Sequence, residues 1–159
     1  MLFLERSQQL NPGYFWAWVN HARALSALGK YDEALISAEK AIEINPNAAG
    51  GWYEKCKALR HLGYWSSAQE ACDQGVLVSP NSDLMRSGQG KLFYAQQNYE
   101  QALQSFEVAS LLNHKNPWHH YNYGLTAEAL GYKQRAIAAY EQVLALKPDF
   151  TEAQQKLGF

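Results

Sequence analysis

Three histidines lie close together in the sequence, at positions 114, 119 and 120, and imidazole is a common metal ligand. His119 and His120 are neighbours, and neighbouring residues of a helix point about 100° apart. The two side chains therefore cannot easily share one ion, and no acidic residue accompanies them in the sequence. We expect no metal site here.

Motifs for other kinds of catalysis are absent from the sequence. There is no GxxxxGK(S/T) or GxGxxG phosphate loop, no GxSxG nucleophile turn and no HExxH zinc motif. The two cysteines, Cys56 and Cys72, are too few for a disulfide scaffold, and we interpret them as buried thiols between two helices. The sequence predicts a protein that is not an enzyme and uses no cofactor or metal.

The composition limits the classes of partner. The net charge is −1, from 14 basic and 15 acidic residues, which argues against nucleic-acid binding. The first ten residues gain charge too early for a signal peptide, and no apolar run approaches the roughly 20 residues that span a bilayer. We predict a cytoplasmic protein without a membrane span.

The strongest organisation in the chain is a period of 34 residues. Prolines stand at positions 12, 46, 80 and 148, and His114 occupies the missing place in that series. Alanines stand in one register at positions 34, 68, 102 and 136. A spacing of about 34 residues is typical of arrays of helix–turn–helix repeats.

This register resembles the tetratricopeptide repeat (TPR) family, in which large aromatic, small, glycine and proline residues recur at fixed places. The residues that carry the resemblance are Trp18, Ala22, Gly29, Tyr31, Ala34, Ala41 and Pro46, then Trp52, Cys56, Gly63, Trp65, Ala68, Gly75 and Pro80, then Gly90, Tyr99, Ala102, Phe106 and Ala109, and finally Gly124, Gly131, Ala136, Tyr140 and Pro148. The short run at 18–25 resembles bacterial TPR proteins most. His120 stands at the tryptophan position of its repeat, and we expect His21 along a helix interface.

The resemblance implies an all-α fold, a right-handed α-solenoid of stacked antiparallel helix pairs, with residues 1–159 forming one TPR array. The expected parts are a half repeat at 1–12, repeats at 15–48, 49–82, 83–116 and 117–150, and the start of a fifth repeat or a cap helix at 151–159. The first two helix pairs are expected at about 14–28 with 31–44, and 49–62 with 65–78.

The two ends and the third repeat depart from the pattern. The helix at 1–12 has no partner, so the chain is either a piece of a longer array or carries its own cap, and the uncovered helix could make a homo-oligomer. The third repeat is degenerate, with Gln97 at the turn glycine and two glycines, Gly88 and Gly90, in one helix. Each helical glycine costs about 1 kcal/mol, so we hypothesise that its amides exchange first.

In TPR proteins the first helix of each pair lines a concave groove that binds peptides, and the resemblance carries those positions over. The predicted groove residues are Trp16, Asn20, Arg23, Tyr53, Lys57, Arg60, Lys91, Tyr94, Trp118, Tyr121 and Asn122. The same positions also include Val19, Ser26, His61, Leu84, Ser87, Leu125 and Glu128.

The predicted groove has aromatic residues at both ends and a basic cluster of Arg23, Lys57, Arg60 and Lys91 between them. Such a trough fits an acidic peptide or a free carboxylate, since aromatics supply contact area and cations supply orientation. The alternative is that these are ordinary solvated side chains. Neither the two-carboxylate clamp nor the asparagine ladder of the family is complete, because Glu54 and Gly88 interrupt the ladder between Asn20 and Asn122.

We therefore predict a non-catalytic module that binds a protein or peptide partner in its groove. Two alternatives stay open: the non-catalytic region of a larger enzyme or regulator, and a self-associating structural array.

Overall fold

The computed structural model describes residues 13–158, and within that range it contains nine α-helices and no strand. The helices are α1 (Phe15–Ala27), α2 (Tyr31–Ile44), α3 (Ala49–Leu62), α4 (Trp65–Val78), α5 (Asp83–Ala95), α6 (Tyr99–Leu112), α7 (Pro117–Ala129), α8 (Lys133–Leu146) and α9 (Thr151–Leu157). The predicted all-α fold is confirmed. The segment 1–12, interpreted as a half repeat, lies outside the described residues.

The helices follow the 34-residue period of the sequence. The odd-numbered helices begin at positions 15, 49, 83, 117 and 151, and the even-numbered ones at 31, 65, 99 and 133. The first two pairs lie within one residue of the predicted bounds. Throughout this article, odd-numbered helices are A helices and even-numbered ones are B helices.

The turns inside the helix pairs need a left-handed residue. Gly29, Gly63 and Gly131 have φ values of 74°, 79° and 77°. Gln97 occupies the same place in the third pair and also has a positive φ, of 61°. Side chains with a Cβ adopt this conformation at a cost, so the turn geometry is kept in the third pair although its glycine is missing.

The chain divides into two compact units, and the first ends at Pro80. In this unit α1 packs on α2, α3 packs on α4, and α2 also packs on α3. Small residues such as Ala34, Ala38 and Ala58 are fully buried, so the helices approach closely around Leu25. His21 hydrogen bonds Ser37 across α1 and α2 at 3.0 Å, which confirms its interface position.

The interpretation of Cys56 and Cys72 as free thiols is wrong. The structure joins them in a disulfide between α3 and α4, with their Cα atoms 5.3 Å apart. That distance lies inside the range that a disulfide can bridge. The sequence shows only a separation of 16 residues, and the antiparallel helix pair is what brings the two side chains face to face.

The second unit begins at Asn81 and has its core around α8. Tyr140 and Val143 are buried together with Ala127, Phe150 and Ala153. Helix α9 packs against α8, so residues 151–157 cover part of the fourth pair.

A side chain two to four residues into several A helices hydrogen bonds back to the loop before its helix. Each donates to the carbonyl six residues earlier, at 2.7, 3.0 and 2.9 Å. The pairs are Trp52 with Pro46, His120 with His114, and Gln154 with Pro148. His120 therefore does occupy the tryptophan position, as predicted.

Candidate peptide-binding surfaces

The predicted groove residues fall on the A helices of both units. Trp16, Asn20 and Arg23 lie on α1 and Tyr53, Lys57 and Arg60 on α3, all in the first unit. Lys91 and Tyr94 lie on α5 and Trp118, Tyr121 and Asn122 on α7, all in the second unit. The structure thus gives two sets of candidate residues, one in each unit.

In the first unit a buried carboxylate holds two of the predicted cations. Glu54 is fully buried, and its Oε1 accepts a hydrogen bond from Arg23 Nε at 3.2 Å. Its Oε2 accepts from Lys57 Nζ at 3.3 Å. Burying a charge is costly unless it is paired, and here each oxygen has its own cation. Glu54 therefore fixes Arg23 on α1 relative to Lys57 on α3.

Arg60 lies one turn further along α3, among aromatic side chains. Its Nη2 is 2.9 Å from His61 Nε2, and the His61 ring stacks flat on Tyr31 with centroids 4.3 Å apart. Burial lowers the pKa of Arg60, although it stays far above neutral pH. Burial also raises the pKa of Tyr53, and the neighbouring charge of Glu54 raises it further. At neutral pH Arg60 is charged and Tyr53 keeps its proton.

Trp16 and Asn20 lie on the exposed side of α1. Trp16 is 52% exposed, and its ring meets Phe15 edge to face at 5.0 Å. Asn20 is exposed as well. A tryptophan that leaves half its surface in water adds apolar area next to the charged residues of the same unit.

Three of the further positions assigned to the groove are wrong, because their side chains are buried. Val19 is fully buried against Phe15 and Ala41, and Ser26 and Ser87 are 5% and 3% exposed. A helix stripe predicted from spacing alone is uncertain by one residue, or about 100° of rotation. These positions face the helix pair rather than solvent.

In the second unit the candidate surface is a connected set of aromatic rings, which we call the aromatic cluster. Trp118 meets Phe150 at 4.6 Å and Tyr121 at 6.0 Å, and Tyr121 meets Phe150 at 5.2 Å. Phe150 is buried, whereas Trp118 is 49% exposed. Edge contacts of this kind hold rings in place, so the exposed face of Trp118 is already ordered. Tyr94 packs edge to face on Tyr99 at 5.2 Å.

A polar network of α7, α8 and α9 lies in the same unit. Glu128 Oε2 accepts from Lys156 Nζ at 2.7 Å and from the Tyr140 hydroxyl at 2.8 Å. The hydrogen bond from Lys156 lowers the pKa of Glu128. Burial, helped by the bond to Glu128, raises the pKa of Tyr140. Glu128 was placed in the groove from the sequence, whereas Lys156 was missed because the register of the fifth helix was not used.

Lys91 and Asn122 are partly buried in this unit. The charge of Lys91 acts on His119 and lowers the pKa of that histidine. The backbone carbonyl of Asn122 accepts a hydrogen bond from Thr126. The structure gives these two residues less exposed surface than it gives Trp118.

His119 has an acidic partner after all, and the fold brings it from 36 residues away. Asp83 at the start of α5 accepts from His119 Nε2 and from Asn113 Nδ2, both at 2.9 Å. Burial lowers the pKa of His119, and the bond and charge of Asp83 only partly offset this. Burial alone would raise the pKa of Asp83, but the bonds from His119 and Asn113 outweigh it and lower that pKa. No cluster of metal ligands occurs among residues 13–158.

Two family descriptions match the chain. The tetratricopeptide repeat description matches residues 17–48 and 120–150, and the TPR repeat description matches residues 90–131. Together they cover more than half of the sequence. No curated protein sequence matches the chain.

Solved structures agree with this assignment. The chain is similar to a thermophilic TPR protein of Thermus thermophilus, with 20% identity over 96% of this chain and 84% of the other, and a TM-score of 0.89. It is similar to MamA, with 23% identity over 86% and 80% of the two chains and a TM-score of 0.72.

A third similar structure is a chain of the APC/C hetero-tetramer Cut9–Hcn1, with 18% identity over 98% of this chain but 31% of that one, and a TM-score of 0.86. At such identities the likeness shows the fold alone, which is the all-α helical solenoid class. None of the helices described here has the length and apolar character needed to span a bilayer.

Proposed function

The chain belongs to the tetratricopeptide repeat family, and from this we propose that it binds an acidic peptide or partner segment on the A helices of its first unit. TPR repeats generally serve as protein-interaction modules, and their scaffold is generally non-catalytic. The proposed binding residues are Trp16, Asn20, Arg23, Tyr53, Lys57 and Arg60.

The observation that carries the proposal is the charge around Glu54. Three cations, Arg23, Lys57 and Arg60, lie on two neighbouring A helices with one carboxylate among them, which leaves two positive charges in excess. The buried Glu54 uses only Arg23 Nε, so the terminal guanidinium nitrogens of Arg23 can still donate to a ligand. A carboxylate ligand matches that excess, and charge complementarity speeds and orients encounter.

The aromatic residues of the same unit support a peptide rather than a small anion. Trp16 is half exposed, and the stacked His61 and Tyr31 rings lie beside Arg60. Ordered aromatic side chains contribute much of the energy of protein interfaces, whereas cations alone contribute specificity. A segment that combines acidic and apolar residues would use both.

One structural neighbour agrees with a protein partner. The Cut9–Hcn1 structure is a hetero-tetramer, and a region of one of its chains has the fold of nearly this entire chain. A TPR array of this size can thus lie within a longer chain that assembles with other proteins. We propose a protein partner for this chain on the same ground.

The test is a screen of short acidic peptides and their Asn/Gln isosteres on an array, followed by titration of the best binders in solution. We expect Lys57→Glu, Arg60→Glu to weaken binding at least about tenfold, because two attractive charges become repulsive. The loss should shrink as salt is raised, since exposed charges are screened.

The matched control is Lys115→Glu, Lys133→Glu, which makes the same change in net charge at two exposed positions of the second unit. This variant should bind like the wild type. Equal loss in both variants would reduce the effect to overall charge, and unchanged binding in the first variant would refute the proposed surface.

A further inference from the structure

The disulfide between Cys56 and Cys72 lies inside a helix pair rather than on its surface. Cys56 is 1% exposed and Cys72 is fully buried. They are the only cysteines of the chain, so no free thiol accompanies the bond. A bond between two buried sulfurs of one helix pair is part of the packing of α3 on α4.

The same place in the other pairs is filled without sulfur. The positions 34 residues before and after hold Ala22 with Ala38, Gly90 with Phe106, and Gly124 with Tyr140. In the last two pairs the ring lies so close that a Cβ on the glycine would come within 2.8 and 2.6 Å of it. The cystine therefore fills the gap that an aromatic ring fills in the second unit.

Burial decides when this bond can form. Thiol–disulfide exchange requires a thiolate to reach a sulfur atom, and neither sulfur is accessible once α3 and α4 have packed. The bond must therefore form before the pair closes, or during its opening. The oxidant has to be present where the chain folds.

From this we infer that the chain folds in an oxidising compartment, where a protein dithiol–disulfide oxidant installs the Cys56–Cys72 bond. The thiolate of one cysteine attacks the oxidant's disulfide, and a mixed disulfide forms. The thiolate of the other cysteine then displaces the oxidant's sulfur. The two thiols give up two protons and two electrons, and the oxidant leaves as a dithiol.

This inference departs from the cytoplasmic location expected from the sequence. Disulfides persist in secreted, periplasmic and surface proteins and are rare in the cytosol, where thiols are kept reduced. A cytoplasmic chain would carry the same two residues as buried thiols. The two cases differ by two hydrogen atoms and can be separated directly.

The first experiment measures the redox state in the cells that make the protein. Cells are quenched in acid, the chain is unfolded, and free thiols are alkylated before intact mass is measured. We expect no alkyl group and a mass lighter than the dithiol form by two hydrogens. Two alkyl groups on most of the chain would overturn the inference.

The second experiment tests burial and uses the wild-type chain. Reduction by dithiothreitol is followed in buffer and in urea that unfolds the chain. We expect reduction of the native protein to be at least roughly a hundredfold slower, because the helix pair must open first. Equal rates would show that the bond is accessible.

A variant copied from the first repeat shows what the bond contributes. Cys56→Ala, Cys72→Ala reproduces the Ala22 and Ala38 pair, so it keeps a helix-compatible core. We expect a Tm roughly 5–10 °C lower, unaffected by reductant, whereas reductant should lower the wild-type Tm. A wild type that melts at one temperature in both redox states would refute a structural role for the bond.

Discussion

Gly90 lies against the ring of Phe106, and a Cβ built on this glycine would come within 2.8 Å of the ring carbon Cε1. From the sequence, Gly90 only weakens α5, since glycine has low helix propensity. The structure shows that the absent side chain makes room for a ring that is 1% exposed. Propensity and packing therefore act in opposite directions at this position.

Gly90→Ala should destabilise the protein although it raises helix propensity. Alanine gains about 1 kcal/mol of propensity, but overpacking a filled core costs about 1–3 kcal/mol. We expect a net loss of about 1 kcal/mol in the free energy of unfolding, measured by urea titration.

The control is Gly50→Ala, another helical glycine. A Cβ there would make contacts of 3.4 Å with Phe15 and Val19, which needs only small adjustment. We expect this change to be neutral or stabilising by up to about 1 kcal/mol. If Gly90→Ala stabilised the protein as much as Gly50→Ala does, packing against Phe106 would not limit this position.

Gln97→Gly should stabilise the protein. Gln97 is the one described residue other than glycine with a positive φ, and glycine adopts this conformation without a steric cost. We expect a gain of about 1 kcal/mol, read from the urea midpoint. The reverse change, Gly131→Gln at the equivalent turn, should cost a similar amount. No gain at position 97 would mean that the entropy of the unfolded glycine offsets the relief of strain.

The helix boundaries could be predicted from sequence because their signals are local. Glycine at positions 29, 63 and 131 and proline at 46, 80 and 148 punctuate the chain every 34 residues. Even the degenerate turn at Gln97 follows the register. A repeat that recurs four times corrects the weak signal of any single copy.

The site could be predicted only in part, because its contacts join residues that are far apart in sequence. Glu54 was considered only as an interruption of an asparagine ladder, whereas the fold pairs it with Arg23, 31 residues away. Asp83 and His119 are 36 residues apart. Spacing placed residues on helices, but could not tell that Val19 faces the core.

The stability of the protein should fall as pH drops below about 6.5, because His119 is buried in its neutral form. Its pKa is lowered by burial and by Lys91 and His120, and Asp83 offsets this only in part. In this range the unfolded chain binds a proton that the folded chain does not, so acid favours unfolding. One such group contributes at most about 1.4 kcal/mol per pH unit.

Urea titrations between pH 5 and pH 8 measure this slope, with the pH range set by the ordinary histidine pKa of about 6.5. His119→Gln should flatten it, whereas His114→Gln, at an exposed position, should leave it as in the wild type. Asp83 acts at lower pH: its lowered pKa stabilises the fold above about 3.8 and this is lost as pH falls through the folded value. A slope unchanged by His119→Gln would refute the assignment.

Removing the buried carboxylate of Glu54 should destabilise the first unit. Glu54→Ala takes away the partner of both Arg23 and Lys57 and leaves a cavity between α1 and α3. Breaking a buried ion pair costs about 3–5 kcal/mol, but Arg23 is 54% exposed and can turn to water. We therefore expect a loss of about 2 kcal/mol in urea unfolding.

Glu39→Ala serves as the control, because Glu39 pairs with Lys55 at 2.9 Å while 46% of its side chain stays exposed. An ion pair in water contributes little, so this change should cost no more than about 1 kcal/mol. The effect of Glu39→Ala should also fade in high salt, whereas that of Glu54→Ala should persist, since buried pairs are screened less. Equal costs for the two substitutions would mean that solvent reaches Glu54, and that Arg23 and Lys57 are not held in place by it.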